Sequence, residues 1–187
     1  MSTMSEAPFS HLVKVGRISS RPATVTLTAD AADLRRLAAT WSVPEVLEFT
    51  ATLALSRWKR DGVRIKGHVA ARILQECVVT LEPVETAVDE DFETIVVPED
   101  SKLARMEPDS AGEIFLDPEG PDLPDTYAGD SVDIGAIAAE FAALGIDLYP
   151  RKPGVAFTSA VDEPDPVERK PSPFAALKAL KSDGSAS

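Results

Sequence analysis

Two stretches of strict alternation dominate the chain. In the first, Leu47, Phe49, Ala51, Leu53 and Leu55 alternate with Glu48, Thr50, Thr52 and Ser56. In the second, Val63, Ile65, Val69, Ala71 and Ile73 alternate with Arg64, Lys66, His68 and Arg72. A period of two sends successive side chains to opposite faces of a sheet, so each stretch predicts a strand buried on one face and solvated on the other. Lys59-Arg60-Asp61-Gly62 lies between them and predicts a hairpin. A two-residue Asp61-Gly62 turn would set Leu55 against His68 and mix apolar with charged side chains. A three-residue loop, Arg60-Asp61-Gly62 with Gly62 left-handed, pairs Leu55 with Gly67 and Leu53 with Val69. Only that loop keeps one face apolar. It also sets Trp58 opposite Arg64, Ser56 opposite Lys66 and Ala54 opposite His68.

The flanking segments follow the same logic. Residues 9–15 alternate weakly and residues 23–27 are β-branched, so both predict strands, separated by the Arg21-Pro22 break. Asp30 is a candidate N-cap with Asp33 in the first turn, and Leu34, Leu37, Ala38 and Trp41 recur at helical spacing. These predict a helix over 31–40, ended by Val43-Pro44 because the residue before proline avoids the α region. Residues 86–97 predict a further strand. Asp89, Glu90, Asp91 and Glu93 require part of it to be solvated or to face bases. Asp133 caps a second predicted helix, whose stripe is Ile134, Ile137, Ala138, Phe141, Leu144 and Leu148, with Tyr149-Pro150 stopping it. Between the two lies an acidic stretch broken by Pro108, Pro118, Pro121 and Pro124, where only Glu113–Leu116 offers an edge strand.

The resulting expectation is an α+β fold: a mostly antiparallel, twisted sheet or partial barrel with two flanking helices, an acidic loop and a flexible C-terminal tail. Residues 1–8 are expected to be disordered. Residues 9–157 form one domain, with 99–132 as its Pro-rich acidic loop. Residues 158–187 form a linker and a short amphipathic element. Its Phe174, Leu177 and Leu180 share one helical face, and a helix this short needs a partner to dock on.

Charge changes the picture more than composition does. Residues 1–75 hold 11 Lys and Arg against 6 Asp and Glu, and residues 76–187 hold 8 against 25. The net charge of −12 opposes wrapping of nucleic acid by the whole surface, yet leaves room for a local basic patch. No apolar run approaches the ~20 residues of a membrane helix. The single cysteine makes no internal disulfide and fits a reducing cytoplasm.

Catalytic chemistry has little to stand on. Cys77 as a nucleophile needs a base, and the only histidines are His11 and His68, with no catalytic signature around either. As a zinc ligand it has no second cysteine beside it, where a structural site needs about four ligands. The carboxylates Glu82, Glu85, Asp89, Glu90, Asp91 and Glu93 lack the spacing and glycine of a calcium loop. No phosphate-binding glycine loop, nucleophile elbow or HExxH helix occurs. Cys77 therefore reads as a small, partly buried residue at a strand end. No metal or cofactor is expected.

The basic row Arg57, Trp58, Lys59, Arg60, Arg64, Lys66, His68 and Arg72 is the candidate RNA-binding surface. A tryptophan among cations on a sheet face can stack a base while the cations neutralise phosphate. The bland alternative packs Trp58 under a helix and leaves the charges as ordinary surface. Pairing of Arg64 and Lys66 with the acidic strand would likewise mark the face as scaffold.

Several short motifs, in order, carry a resemblance. They are Glu76-Cys77-Val-Val-Thr80-Leu81-Glu82-Pro83-Val84, the acidic strand to Pro98, Asp133-Ile134-Gly135, Tyr149-Pro150-Arg151-Lys152-Pro153-Gly154 and Pro173-Phe174-Ala-Ala-Leu177-Lys178. Together they resemble the YceD-like family of large ribosomal RNA subunit accumulation proteins, in its alphaproteobacterial type, over about residues 8 to 181. The motif residues are Cys77, Leu81, Pro83, Val84, Pro150, Pro153 and Gly154. The resemblance implies a non-enzymatic, cytoplasmic ribosome biogenesis factor that supports 23S rRNA. Large-subunit rRNA or a large-subunit ribosomal protein is its partner, with neither DNA nor membrane. Many family members carry further cysteines where this chain has Thr80 and the segment Arg151–Gly154, so a metal role in such relatives does not transfer. The alternative is an adaptor whose acidic half holds a basic ribosomal protein. In that case RNA would be bound only through the partner.

Overall fold

The two alternating stretches fold as long antiparallel strands at the centre of an open five-stranded sheet. The computed structural model describes residues 7–104 and 124–155. In chain order the elements are β1 (Leu12–Lys14), β2 (Ala23–Thr28), α1 (Ala31–Trp41), β3 (Glu45–Trp58), β4 (Gly62–Glu76), β5 (Pro83–Pro98), β6 (Asp125–Tyr127), β7 (Ser131–Asp133) and α2 (Ile134–Leu144). The main sheet runs β2-β3-β4-β5-β6, antiparallel except for the β5–β6 pairing, and β1 pairs with β7 in a separate two-stranded sheet. The α+β class, the two helices and the mostly antiparallel twisted sheet are as the sequence pattern predicts. The predicted edge strand at 113–116 and the tail residues Phe174, Leu177 and Leu180 lie outside the described residues.

The hairpin register differs from the expected one. The loop has three residues, but they are Lys59-Arg60-Asp61, because Trp58 pairs with Gly62. Leu55 therefore faces Ile65 and Leu53 faces Gly67, while Ser56 faces Arg64 and Thr52 faces His68. Lys59, at φ 50, takes the left-handed position expected for Gly62. The physical reason is spatial. A side chain at Gly62 would meet Trp58 Cε3 at 2.8 Å and Val97 Cγ1 at 3.2 Å, so the glycine is used for close approach. The shift moves each partner by two residues and so preserves which face each side chain occupies. A bulge at Leu47 offsets the pairing between Val46 and Glu48.

One sheet face is the core. Phe49, Leu53, Leu55, Val63, Ile65, Val69 and Ile73 are essentially inaccessible. Each such side chain contributes about 1.5–3 kcal/mol by leaving water. α1 packs over β3, where Trp41 and Phe9 meet Phe49 edge-on with centroids 5.7 and 5.1 Å apart. α1 begins where Asp30 accepts hydrogen bonds from the Ala32 and Asp33 N–H groups while the Asp33 carboxylate accepts one from the Asp30 N–H. It ends at Ser42 in the left-handed region.

α2 crosses β4 and β5, and its burial differs from the predicted stripe. The inward residues are Ile134, Gly135, Ala138, Ala139 and Ala142, small enough to bring the helix close. Phe141 stacks on Phe92 of β5 with centroids 4.0 Å apart, and Gly67 on the neighbouring strand leaves room for that ring. Leu144 and Leu148 were expected inside but are about 80% exposed, Leu148 lying beyond the helix end. Asp133 does more than cap. Its carboxylate accepts from the Gly135 and Ala136 N–H groups, from His11 N–H at 2.8 Å and from the Ser10 hydroxyl at 2.6 Å. It thereby pins the start of the chain to α2. The acidic loop expected over 99–132 contains two short strands that alternation over three residues is too brief to reveal.

Candidate functional site

The face of the sheet opposite the core carries aligned rows of side chains. On β2 and β3 these are Thr24, Thr26 and Thr28 beside Thr50 and Thr52. On β4 they are Arg64, Lys66, His68 and Arg72, and on β5 they are Asp89, Asp91 and Glu93. Antiparallel pairing places Lys66 across from Glu93 and His68 across from Asp91. Cross-strand neighbours of opposite charge attract, and here Arg64, Lys66 and Arg72 of β4 each have an acid. Lys66 Nζ lies 2.9 Å and Arg64 Nε 3.3 Å from the Glu93 carboxylate. The Arg64 contact is an ion pair without hydrogen-bond geometry. His68 Nδ1 lies 3.0 Å from Asp91, and Arg72 Nε lies 3.2 Å from Glu85 and 3.9 Å from Glu48. The hydrogen bond from Lys66, then the charges of Lys66 and Arg64, hold the Glu93 carboxyl below the usual carboxylate range.

The expected continuous basic row is thus divided. Its strand half, Arg64, Lys66, His68 and Arg72, is neutralised. Its hairpin half, Arg57, Lys59 and Arg60, is exposed and has no ion pair among the described residues. Trp58 is half-buried, and the Lys59 ammonium lies 4.2 Å from its ring centroid. Sequence spacing missed two neighbours. Arg57 N–H donates to Ser19 C=O at 2.9 Å, and Ser19 and Arg21 are linked through the Ser19 hydroxyl. This brings the segment carrying Arg17 and Arg21 alongside the hairpin.

The other end of β4 holds the motif residues. Cys77 and Leu81 lie in the β4–β5 turn, with Leu81 left-handed at φ 59, and Pro83 and Val84 open β5. Val78 N–H donates to Pro150 C=O at 3.0 Å, Lys152 N–H donates to Cys77 Sγ at 3.4 Å, and Lys152 Nζ lies 2.7 Å from Glu82. Segments some 70 residues apart thus meet around one sulfur, with Pro153 and the left-handed Gly154 directly following. The Cys77 side chain is buried. The Thr80 hydroxyl, followed by the N–H groups of Lys152, Thr80 and Val79, lowers its pKa from 9.0 to about 6. Zinc needs about four nitrogen, sulfur or oxygen ligands. This turn offers one sulfur, with Thr80 and the Lys152 N–H donating to it, and does not fit that ion.

Two neighbouring pockets lie beside this turn, the first mainly apolar and the second mainly polar. The first, about 490 Å³, is lined by Pro8, Trp41, Ala139, Ala143, Ile146 and Leu148. The second shares Leu148 and continues to Glu76, Val78 and Pro150. Leu148 and Tyr149 stand exposed there. Glu76, Glu140 and Asp147 have no ion pair among the described residues. Among the described residues no helix is long and apolar enough to cross a membrane.

A family model described as "Large ribosomal RNA subunit accumulation protein YceD" matches residues 65–181. No curated protein matches the chain, and no solved structure does.

Proposed function

Because the chain belongs to the YceD family, we propose that it acts in the cytoplasm as a non-enzymatic ribosome biogenesis factor supporting the accumulation of 23S rRNA. The observation that carries this reading is the family match, which extends over both the 76–84 and the 149–154 motifs that meet at the Cys77 turn. The test is complementation. In a strain lacking the gene, the 23S-to-16S ratio should fall and recover when the chain is supplied. An unchanged ratio would sink the reading.

A second reading is the adaptor that holds a basic large-subunit ribosomal protein. Neutralisation of the β4 cations by β5 lifts it above direct RNA binding through that face. The mainly apolar pocket supports it too, since Glu140 in its lining has no ion pair among the described residues and a basic segment with large apolar side chains complements both properties. Co-purification with and without RNase separates the two. A ribosomal protein that stays bound after RNase favours the adaptor, and its loss favours contact through RNA.

A further inference from the structure

We propose that the hairpin end of the sheet, formed by Arg17, Arg21, Arg57, Lys59 and Arg60, binds the phosphodiester backbone of RNA. The inference rests on the rRNA reading above and names its contact surface.

Three observations carry it. First, charge is segregated along β4. The strand cations each have a carboxylate, whereas these five exposed cations have none among the described residues. A chain of net charge −12 repels a polyanion as a whole, so contact must be confined to a region where its own acids do not cancel the cations. Second, two separate segments converge there, because the Ser19 C=O accepts from Arg57 N–H. The cluster is therefore a product of the fold and not of one basic run. Third, Trp58 is spoken for. Lys59 lies over its ring and Gly62 packs against it, so the ring positions a cation and leaves phosphate as the group recognised. The acids on the β6 side of this end are Asp61, Glu99, Asp100 and Asp125, grouped about Tyr127, whose hydroxyl donates to Asp61 C=O at 3.3 Å. They bound the cluster on the β6 side.

The mode follows from the chemistry. Phosphate contacts position a nucleic acid without reading its bases. Binding should then be insensitive to sequence and steep in salt, with a log–log slope of about −0.7 per neutralised phosphate on a single strand.

The experiment is fluorescence anisotropy with the full chain and a fluorescein-labelled single-stranded RNA, titrated with salt. Arg57→Gln, Lys59→Gln and Arg60→Gln combined should weaken binding roughly tenfold or more and flatten the slope by about 2. Arg64→Gln with Lys66→Gln should leave affinity and slope unchanged. Equal losses in both variants, unchanged binding in the triple variant, or no binding by the wild-type chain would overturn the proposal. So would a triple variant whose only change is loss of self-association on a sizing column. Complementation keeps the two readings apart. If the wild-type chain restores the 23S-to-16S ratio and the triple variant does so equally well, the surface is wrong and the function stands. If the wild-type chain moves nothing, the function falls and the anisotropy alone decides the surface.

Discussion

Lys66 and Glu93 sit directly across the β4–β5 ladder with Nζ and Oε2 2.9 Å apart. The contact decides what the basic strand is for, because Arg64 shares the same carboxylate. A cation with a cross-strand acid is a weaker phosphate ligand, since binding RNA must first displace that acid.

Removing the acid should therefore unmask the cations. Glu93→Gln should raise RNA affinity and steepen its salt dependence. Stability should fall only slightly, as exposed pairs contribute little. Anisotropy and urea melts measure both. The sign with pH follows from the lowered Glu93 pKa. The pair's stabilisation is present above the usual carboxylate range and is lost as pH falls through the folded value. Unchanged affinity in Glu93→Gln would mean that the strand cations are silent for another reason.

Cys77 should give the protein a second, alkaline dependence. Its thiol is lowered from 9.0 to about 6 in the fold. The stabilisation is complete above pH 9, shrinks as pH falls between those values, and is gone below the folded pKa. Urea midpoints of the wild-type chain should rise from pH 6 towards pH 9, and Cys77→Ala should flatten that rise. The variant should still restore 23S rRNA. Thiolate absorbance titrating near 9 would refute the assignment.

Gly67→Ala tests how α2 is seated. An added Cβ would collide with the Phe92 ring and, at 2.7 Å, with Leu53 Cδ2. Phe92 cannot withdraw without breaking its stack on Phe141. A loss of about 1–3 kcal/mol is expected, the range for overpacking a filled core. A neutral urea melt would show that the ring has room to move.

Asp133→Ala removes an N-cap and two contacts with the first strand segment at once. The expected loss is about 2–3 kcal/mol. Asp133→Asn, which keeps an acceptor for the helix, should recover roughly half. Equal losses in both would assign the stability to charge instead of to capping.

Much of this was legible beforehand because alternation over ten or more residues fixes both the existence of a strand and its faces. Asp30 and Asp133 were readable as caps from the residue type and the apolar spacing that follows. The hairpin register was off by one residue at each side, since the use of Gly62 depends on Trp58 and Val97, which no local pattern reveals. The α2 stripe erred at Leu144 and Leu148 for a similar reason. Helical spacing identifies an apolar face, but the alanines on the adjacent face allow closer approach to β4 and β5. The basic row looked continuous because sequence shows a strand's residues without their cross-strand partners, and the paired β5 acids lie 13 to 29 positions away. Arg17 and Arg21 joined the cluster through a single backbone hydrogen bond that has no signature in spacing.

The clamp at Asp133 also imposes an order of events during synthesis. Ser10 and His11 bond to a carboxylate 123 and 122 positions later, and β1 pairs with residues 131–133. At translation rates of about 5–20 residues per second, the first strand must wait roughly 6–25 s for its mate to be made. The central hairpin, built from neighbours, has no such delay. The nascent chain therefore presents a finished β3–β4 core with Phe49 still lacking Phe9. Closing that gap is a late, long-range step, and β1 locks only after residues 131–133 are made.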